Sequence, residues 1–225
     1  GYFPMILEGM TLTIEVALLS LLIAVILGLF GAIAKLSKSR IARSTATVYT
    51  TLIRGIPDLV LMTIIFYGGQ IIVNNIGDSL GWDYIDISPF VAGTLTIGFI
   101  FGAYMTETFR GAILAIPRGQ IEAGISCGMM PFTVFYRITW PQMVRHALPS
   151  FTNNWLVLVK ATALVSVIGL HDLVWNASTA ARSFRPAQSF TFMFAVLIIY
   201  LILTAISAAG LRWLDRRYSV GVRRA

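Results

Sequence analysis

The apolar run VALLSLLIAVILGLFGAIA, Val16–Ala34, decides the fold. It holds no charged residue and comes close to the roughly 20 residues that an α-helix needs to cross a bilayer. The whole chain is 57% hydrophobic and 12% charged, whereas an ordinary soluble domain is about 45–50% apolar and 25% charged. The sequence therefore predicts a membrane protein.

Four further runs are nearly as apolar: Ser44–Gly77, Ile87–Thr106, Ala147–Leu170 and Pro186–Leu211. Arg54 and Asp58 interrupt the first of these four, and Lys160 interrupts the third. Short segments of alternating apolar and polar residues, which are typical of membrane barrels, are not apparent. We predict an all-α integral membrane protein of one domain, residues 1–225, with five spans at about 11–34, 47–73, 87–110, 145–170 and 187–211.

The basic residues predict an orientation, because short cytoplasmic loops accumulate lysine and arginine. The loop 74–88 has three aspartates and no basic residue, and Arg182 and Arg185 in the fourth loop dilute this contrast without reversing it. We expect the N-terminus outside, the C-terminus in the cytoplasm, and no nucleic-acid partner despite the net charge of +7. The cytoplasmic charges are Lys35, Lys38, Arg40, Arg43, Arg110, Arg118, Arg137, Arg145, Arg212, Arg216, Arg217, Arg223 and Arg224.

Several kinds of site are missing from the sequence. The dipeptide Gly-Lys does not occur, so there is no phosphate-binding loop of the G-x-x-x-x-G-K-[ST] type. Only two histidines, His146 and His171, are present, and neither belongs to a metal-ligand pattern. We therefore expect no metal and no cofactor in this chain.

The segment IEAGISCGMMPFTVFYRITWP, Ile121–Pro141, contains the G-x-S-x-G pattern of serine hydrolases around Ser126. That chemistry requires a strand before the serine, a helix after it, and a histidine with an acid nearby. Nothing before Ser126 reads as a strand, and in the predicted topology His171 lies across the membrane. A docking element is the favoured interpretation, with a hydrolase as the weaker alternative.

Small residues and a proline predict the shape of this element, which we place at about 118–142. Ala123, Gly124 and Gly128 allow another helix to approach closely, and Pro131 is expected to end or bend the helix. Aromatic residues follow at helical spacing. The pattern predicts a short helix, a bend and a second short helix outside the membrane, suited to a groove on a partner protein.

The same residues resemble the EAA loop of binding-protein-dependent ABC importer permeases. Gly124 replaces the second alanine of that pattern, and Trp140 stands where leucine is usual. In the family this loop is the coupling helix that docks on the ATPase subunit. The matching positions are Glu122, Ala123, Gly128, Ile138 and Pro141.

The resemblance extends over nearly the whole chain. LIRGIPDLVLMTIIFYG (Leu52–Gly68), AYMTETFRGAILAIPRGQIEAG (Ala103–Gly124) and KATALVSVIGLHDL (Lys160–Leu173) resemble polar-amino-acid permeases, in particular those for histidine, lysine, arginine and ornithine. The likeness implies a type I importer fold, a bacterial inner-membrane location and one half of a translocation pathway. It also implies two ATPase subunits carrying ATP and Mg²⁺, a second permease chain that we expect to be different but related, and a periplasmic or extracellular amino-acid-binding protein.

Ionisable residues within the spans are the candidates for substrate contact, because a charge in a membrane span usually faces a cavity or a partner. Asp58 follows Pro57, which disrupts the local helix, and near mid-depth it is placed to attract a cationic side chain. Arg54 is also counted among the pathway residues, and the alternative for both is a helical ion pair between Asp58 and Arg54.

Glu107 offers the same choice. Beside Tyr104 and Thr106 it can help to hold a cationic amino acid, or it can simply pair with Arg110 three residues later. The ion pair is the favoured reading of Glu107, because both charges lie where the span leaves the membrane.

Lys160 can bind a substrate carboxylate or, as we favour, pair with an acid of another span or subunit. Ser166 and Thr162 add polar groups on that span, although such hydroxyls often bond to their own helix. Glu15 is expected to reach water at the outer end of the first span. Two other functions stay open from the sequence: a permease for another polar amino acid, and a multi-span channel or sensor.

Overall fold

The computed structural model describes residues 3–182 and 186–218, and these residues form helices joined by loops, with no strand among them. Five helical stretches are long and apolar enough to cross a membrane: Pro4–Leu36, Asp58–Leu80, Pro89–Leu114, Pro131–Ile168 and Phe190–Tyr218. The predicted all-α membrane fold with five spans is therefore confirmed. Arg185, Arg223 and Arg224, which the orientation prediction uses, lie outside the described residues.

The helices in chain order are α1 (Phe3–Leu36), α2 (Arg40–Gly55), α3 (Asp58–Leu80), α4 (Pro89–Leu114), α5 (Arg118–Ser126), α6 (Pro131–Val134), α7 (Trp140–Ala161), α8 (Leu173–Arg182) and α9 (Pro186–Tyr218). A π-helical turn, Phe135–Thr139, joins α6 to α7, and a 3₁₀ segment, Thr162–Ile168, follows α7.

Helix α4 is the central helix, and glycines let α1 approach it closely. A Cβ atom on Gly28 would lie 2.5 Å from the Cβ of Met105, and one on Gly31 would lie 2.2 Å from the hydroxyl oxygen of Thr106. From the other side, a Cβ on Gly98 of α4 would lie 2.7 Å from Ile23. Small residues at such crossings are how membrane helices gain packing contacts, since lipid supplies no hydrophobic driving force between them.

The predicted second span, 47–73, is two helices rather than one. Helix α2 ends at Gly55, Ile56 and Pro57 are extended, and α3 begins at Asp58 and continues to Leu80. Pro57 lacks the backbone N–H that a continuous helix requires, which explains the break. Asp58 is consequently the first residue of a helix and not a residue in the middle of one.

The 118–142 segment also differs in one respect from the predicted pair of short helices. The first short helix, α5, is present, but Pro131 begins the next helix instead of ending one, because proline fits the first helical position. The turn between them passes through Gly128, whose φ of 81° lies in the left-handed region. From Pro131 the chain stays helical through the π-helical turn into α7.

Helix α8 was not predicted, and polar groups attach its start to α1. The Asp172 carboxylate accepts a hydrogen bond from the Trp175 N–H at 2.9 Å, and the Leu173 N–H donates to the Thr13 hydroxyl at 3.3 Å. Asn176 donates to the Met5 carbonyl at 2.8 Å. Burial raises the pKa of Asp172 to about 6. The signal in the sequence was Asp172 itself, a favoured residue for capping a helix.

Helix α9 carries a mostly apolar, exposed surface, as a lipid-facing span does. Phe190 and Ile206 are 73% and 67% exposed. The other exposed apolar side chains of α9 include Phe194, Leu197, Leu201, Ile202 and Trp213.

Candidate functional site

A polar cleft lies where α1, α2, α4 and α7 meet. Two adjoining cavities of about 480 and 510 Å³ form it, and both are lined by Arg54, Tyr104 and Glu107. The first is completed by Thr108, Pro149, Ser150, Asn153 and Asn154, and the second by Lys35, Thr50, Thr51, Gly55 and Arg110. Three of the predicted pathway residues are therefore brought together in one cavity wall, although they come from different helices.

Glu107 is held by two cations in this cleft. Lys35 Nζ contacts Oε1, and Arg110 Nε donates to Oε2 at 2.9 Å. The ion pair with Arg110, which the spacing predicted, is confirmed. Lys35 was missed as a site residue, because it is 72 positions away in the sequence and was read only as a loop charge.

Arg54 stacks on Tyr104, with the guanidinium carbon 5.4 Å from the ring centroid. Asp58 is partly buried near Tyr104, and it lines neither of the two cavities. The predicted alternative, an ion pair between Arg54 and Asp58, is not formed among the described residues. The break at Ile56 and Pro57 explains this, because the two side chains no longer share a helical face.

The opposite wall of the cleft is made of uncharged polar groups from α7. Asn154 donates to the Thr108 hydroxyl at 2.9 Å, and Ser150 and Asn153 also line the cavity. These residues were not predicted, because only ionisable residues within the spans were taken as the primary candidates for substrate contact. The adjacent asparagines in an otherwise apolar span were the available signal.

Two predicted pathway residues are used elsewhere. Thr106 is fully buried against Gly31 of α1, and its hydroxyl donates to the Gly102 carbonyl at 2.8 Å. Placing Thr106 in the pathway was therefore wrong, because it serves helix packing. Ser166 donates to the Ala163 carbonyl at 2.7 Å, which is the local bond that its spacing allowed.

Lys160 and Glu15 are both exposed on the surface of the helical bundle. Neither makes an ion pair within residues 3–182 and 186–218. Within the described residues, Lys160 therefore does not pair with an acid on another span. Its pairing with another subunit stays a prediction. Thr162 donates to the Val159 carbonyl at 2.6 Å inside the core.

The second candidate site is the 118–142 segment, which consists of α5, the turn at Gly128, α6, the π-helical turn and the start of α7. Helix α5 packs tightly against the helix that follows it: a Cβ on Gly124 would lie 2.8 Å from Ile138 and 3.3 Å from Val134. Gln142 donates to Gln120 at 2.6 Å and so ties α5 to the start of α7. The segment is therefore a fixed shape and not a loose loop.

The exposed surface of this segment combines large apolar side chains with the charged residues Arg118, Glu122 and Arg137. Met130, Phe132 and Tyr136 are 74%, 77% and 66% exposed. Glu122 and Ala123 are exposed on α5, and Pro141 is exposed at the start of α7. Large exposed apolar side chains rimmed by charged residues are typical of a surface that another protein covers.

The geometry around Ser126 does not match a nucleophile elbow. Ser126 is the last residue of α5, so a helix precedes it where that motif needs a strand. Among the described residues, no group of three His, Cys, Asp or Glu side chains is placed to hold a metal ion.

Comparison with known proteins shows the family of the chain. The family described as "Binding-protein-dependent transport system inner membrane component" matches residues 20–220. The chain is 53% identical to the histidine/lysine/arginine/ornithine transport system permease protein HisQ of Salmonella typhimurium, over 100% of this chain and 98% of that protein. It is 38% identical to the octopine transport system permease protein OccQ of Rhizobium meliloti, over 100% and 94%.

A solved structure described as an amino acid ABC transporter with histidines has a TM-score of 0.80 to this chain at 30% identity. The match covers 96% of this chain and 95% of the other. The helical fold, the polar cleft and the matched sequence lead to one conclusion: the chain belongs to the inner-membrane permease components of binding-protein-dependent transport systems.

Proposed function

We propose that this chain is the permease subunit of an ATP-driven importer for cationic amino acids, namely arginine, lysine, ornithine and histidine. The full-length likeness to a histidine/lysine/arginine/ornithine permease carries the proposal. The polar cleft supports it, since two cavities of about 480 and 510 Å³ share a wall of charged and hydrogen-bonding side chains. The chain forms half of the pathway, and binding and release are its only chemistry.

The complete transporter contains, in this proposal, a second and related permease chain, two ATPase subunits that bind ATP and Mg²⁺, and a binding protein that delivers the amino acid. The 118–142 segment is the surface that docks on the ATPase. Its exposed Met130, Phe132 and Tyr136 are suited to burial in a groove, and Glu122 is exposed on α5. ATPase closure then moves this segment and alternates access to the cleft.

Copurification and uptake test the function together. The chain is expressed with its neighbouring transport subunits, bound chains are identified without bias, and the complex is reconstituted in vesicles with the binding protein. We expect an ATPase to copurify and radiolabelled arginine to accumulate only with ATP. ATP-driven uptake of a different polar amino acid would correct the substrate, and absence of a bound ATPase would favour a channel or sensor.

Orientation is tested with Cys127, the chain's single cysteine, which is exposed at the end of α5. With the N-terminus outside and the C-terminus in the cytoplasm, a membrane-impermeant maleimide should label Cys127 in everted vesicles and not in right-side-out vesicles. Bound ATPase should slow this labelling, because it covers the segment. Labelling from the outer face would contradict the proposed orientation.

The hydrolase interpretation is tested by Ser126→Ala. The side chain is exposed at a helix end, so we expect wild-type assembly and arginine uptake within about twofold, as for most exposed substitutions. Complete loss of arginine uptake in a protein that still assembles would support a catalytic role for Ser126.

A further inference from the structure

The charges in the polar cleft are mostly positive, whereas a pathway that attracts cationic amino acids would be lined mainly by acids. Lys35, Arg54 and Arg110 line the cavity around Glu107, so basic groups outnumber acidic ones there. A cationic amino acid passing through this region would meet like charges. The arrangement thus needs an explanation beyond substrate attraction.

Both oxygens of the Glu107 carboxylate are already engaged. Lys35 contacts Oε1 and Arg110 contacts Oε2, and the Lys35 side chain is 11% exposed, against 37% for Arg110. Ion pairs away from water are weakly screened. Each oxygen of Glu107 thus faces a cation, and Lys35, Glu107 and Arg110 together carry one net positive charge, which disfavours the approach of a substrate ammonium or guanidinium group.

The second acid, Asp58, is placed differently. It begins α3, and no basic side chain of the described residues pairs with it. Helix α4 runs from Tyr104, near Asp58, to Glu107 and then towards the 118–142 segment. Along α4, the unpaired acid therefore lies farther from that segment than Glu107 does, and of the two acids only Glu107 lines the cavities.

We propose that Lys35 is a positioning residue that neutralises Glu107, so that the part of the cleft next to the 118–142 segment repels a cationic amino acid and speeds its release. The inference rests on the proposed function. Lys35 acts only through Glu107 and does not itself contact the substrate.

The test is Lys35→Met, assayed for uptake of arginine and of histidine at pH 8. Histidine is then largely uncharged on its side chain, since its pKa is about 6.5. In this variant Oε1 of Glu107 is unpaired and can hold the arginine side chain. We expect the maximal rate of arginine uptake to fall about fivefold, because release is slower. The KM for arginine should also fall, because a charged contact is gained. The maximal rate for histidine should change less than about twofold.

Three further variants separate positioning from structure. Lys35→Arg keeps the charge and should behave as wild type, and Lys38→Met removes an exposed neighbouring charge without effect. The double variant Lys35→Met with Glu107→Gln removes the freed acid and should restore the arginine rate. If Lys35→Met fails to assemble, Arg110→Gln is used instead. It frees Oε2 of Glu107, and arginine and histidine uptake are compared in the same way.

Equal slowing of arginine and histidine, no slowing, or no recovery in the double variant would overturn the role of Lys35. These outcomes leave the proposed function intact, because wild-type uptake is measured in the same assay. A wild-type complex that imports no cationic amino acid would overturn both.

Discussion

Asp58→Asn is expected to weaken arginine import strongly while the transporter still assembles. A contact to a charged group is worth about 1.5–3 kcal/mol, which corresponds to roughly tenfold to a hundredfold in affinity. We therefore expect the KM for arginine uptake to rise by at least about tenfold in reconstituted vesicles. Histidine, uncharged at pH 8, should lose less.

Folding should survive this change. Asp58 is the first residue of α3, where a carboxylate favours the helix dipole by about 0.3–1 kcal/mol. Asparagine keeps the shape and loses only that small contribution. The matched control is Asp83→Asn, an exposed aspartate in the loop before α4. Unchanged arginine affinity in Asp58→Asn would remove Asp58 from the pathway.

Gly128→Val is expected to uncouple the permease from its ATPase. Gly128 has a φ of 81°, and a β-branched residue held in that region costs about 1–3 kcal/mol. The turn must then change shape, which moves α5 relative to α7 and distorts the surface that includes Met130 and Phe132. We expect ATPase copurification to be lost and ATP-driven uptake to fall more than about tenfold, since docking precedes every cycle.

The matched control for this variant is Gly111→Val. Gly111 lies in α4, and a Cβ there meets nothing within 4 Å, so the added side chain has space and a helical backbone. The protein should assemble and transport normally. Normal ATPase binding by Gly128→Val would show that the turn is not needed for docking.

The sequence predicted what depends on local composition. Five spans followed from apolar runs, and the short helix α5 with the turn before Pro131 followed from small residues and a proline. The pair between Glu107 and Arg110 followed from a spacing of three, because helical geometry alone brings such side chains together.

What the sequence missed depends on distance along the chain. Lys35 reaches Glu107 across 72 positions, and nothing in either local pattern encodes that contact. Thr106 was misplaced for a related reason: which face of α4 is covered depends on Gly28 and Gly31 of α1. The break before Asp58 was visible as Pro57, but a proline alone does not decide between a kink and two separate helices.

The continuous helical stretch from Pro131 to Ile168 has a mechanical consequence. Its 38 residues span roughly 55–60 Å at about 1.5 Å per residue, and Pro149 lies inside α7 near the middle of the stretch. Phe132 is near one end, and Asn153 and Asn154 lie beyond Pro149. In the proposed transporter, an ATPase that tilts the stretch at Phe132 is expected to move the uncharged wall of the cleft relative to Glu107, whose two cations lie on α1 and α4.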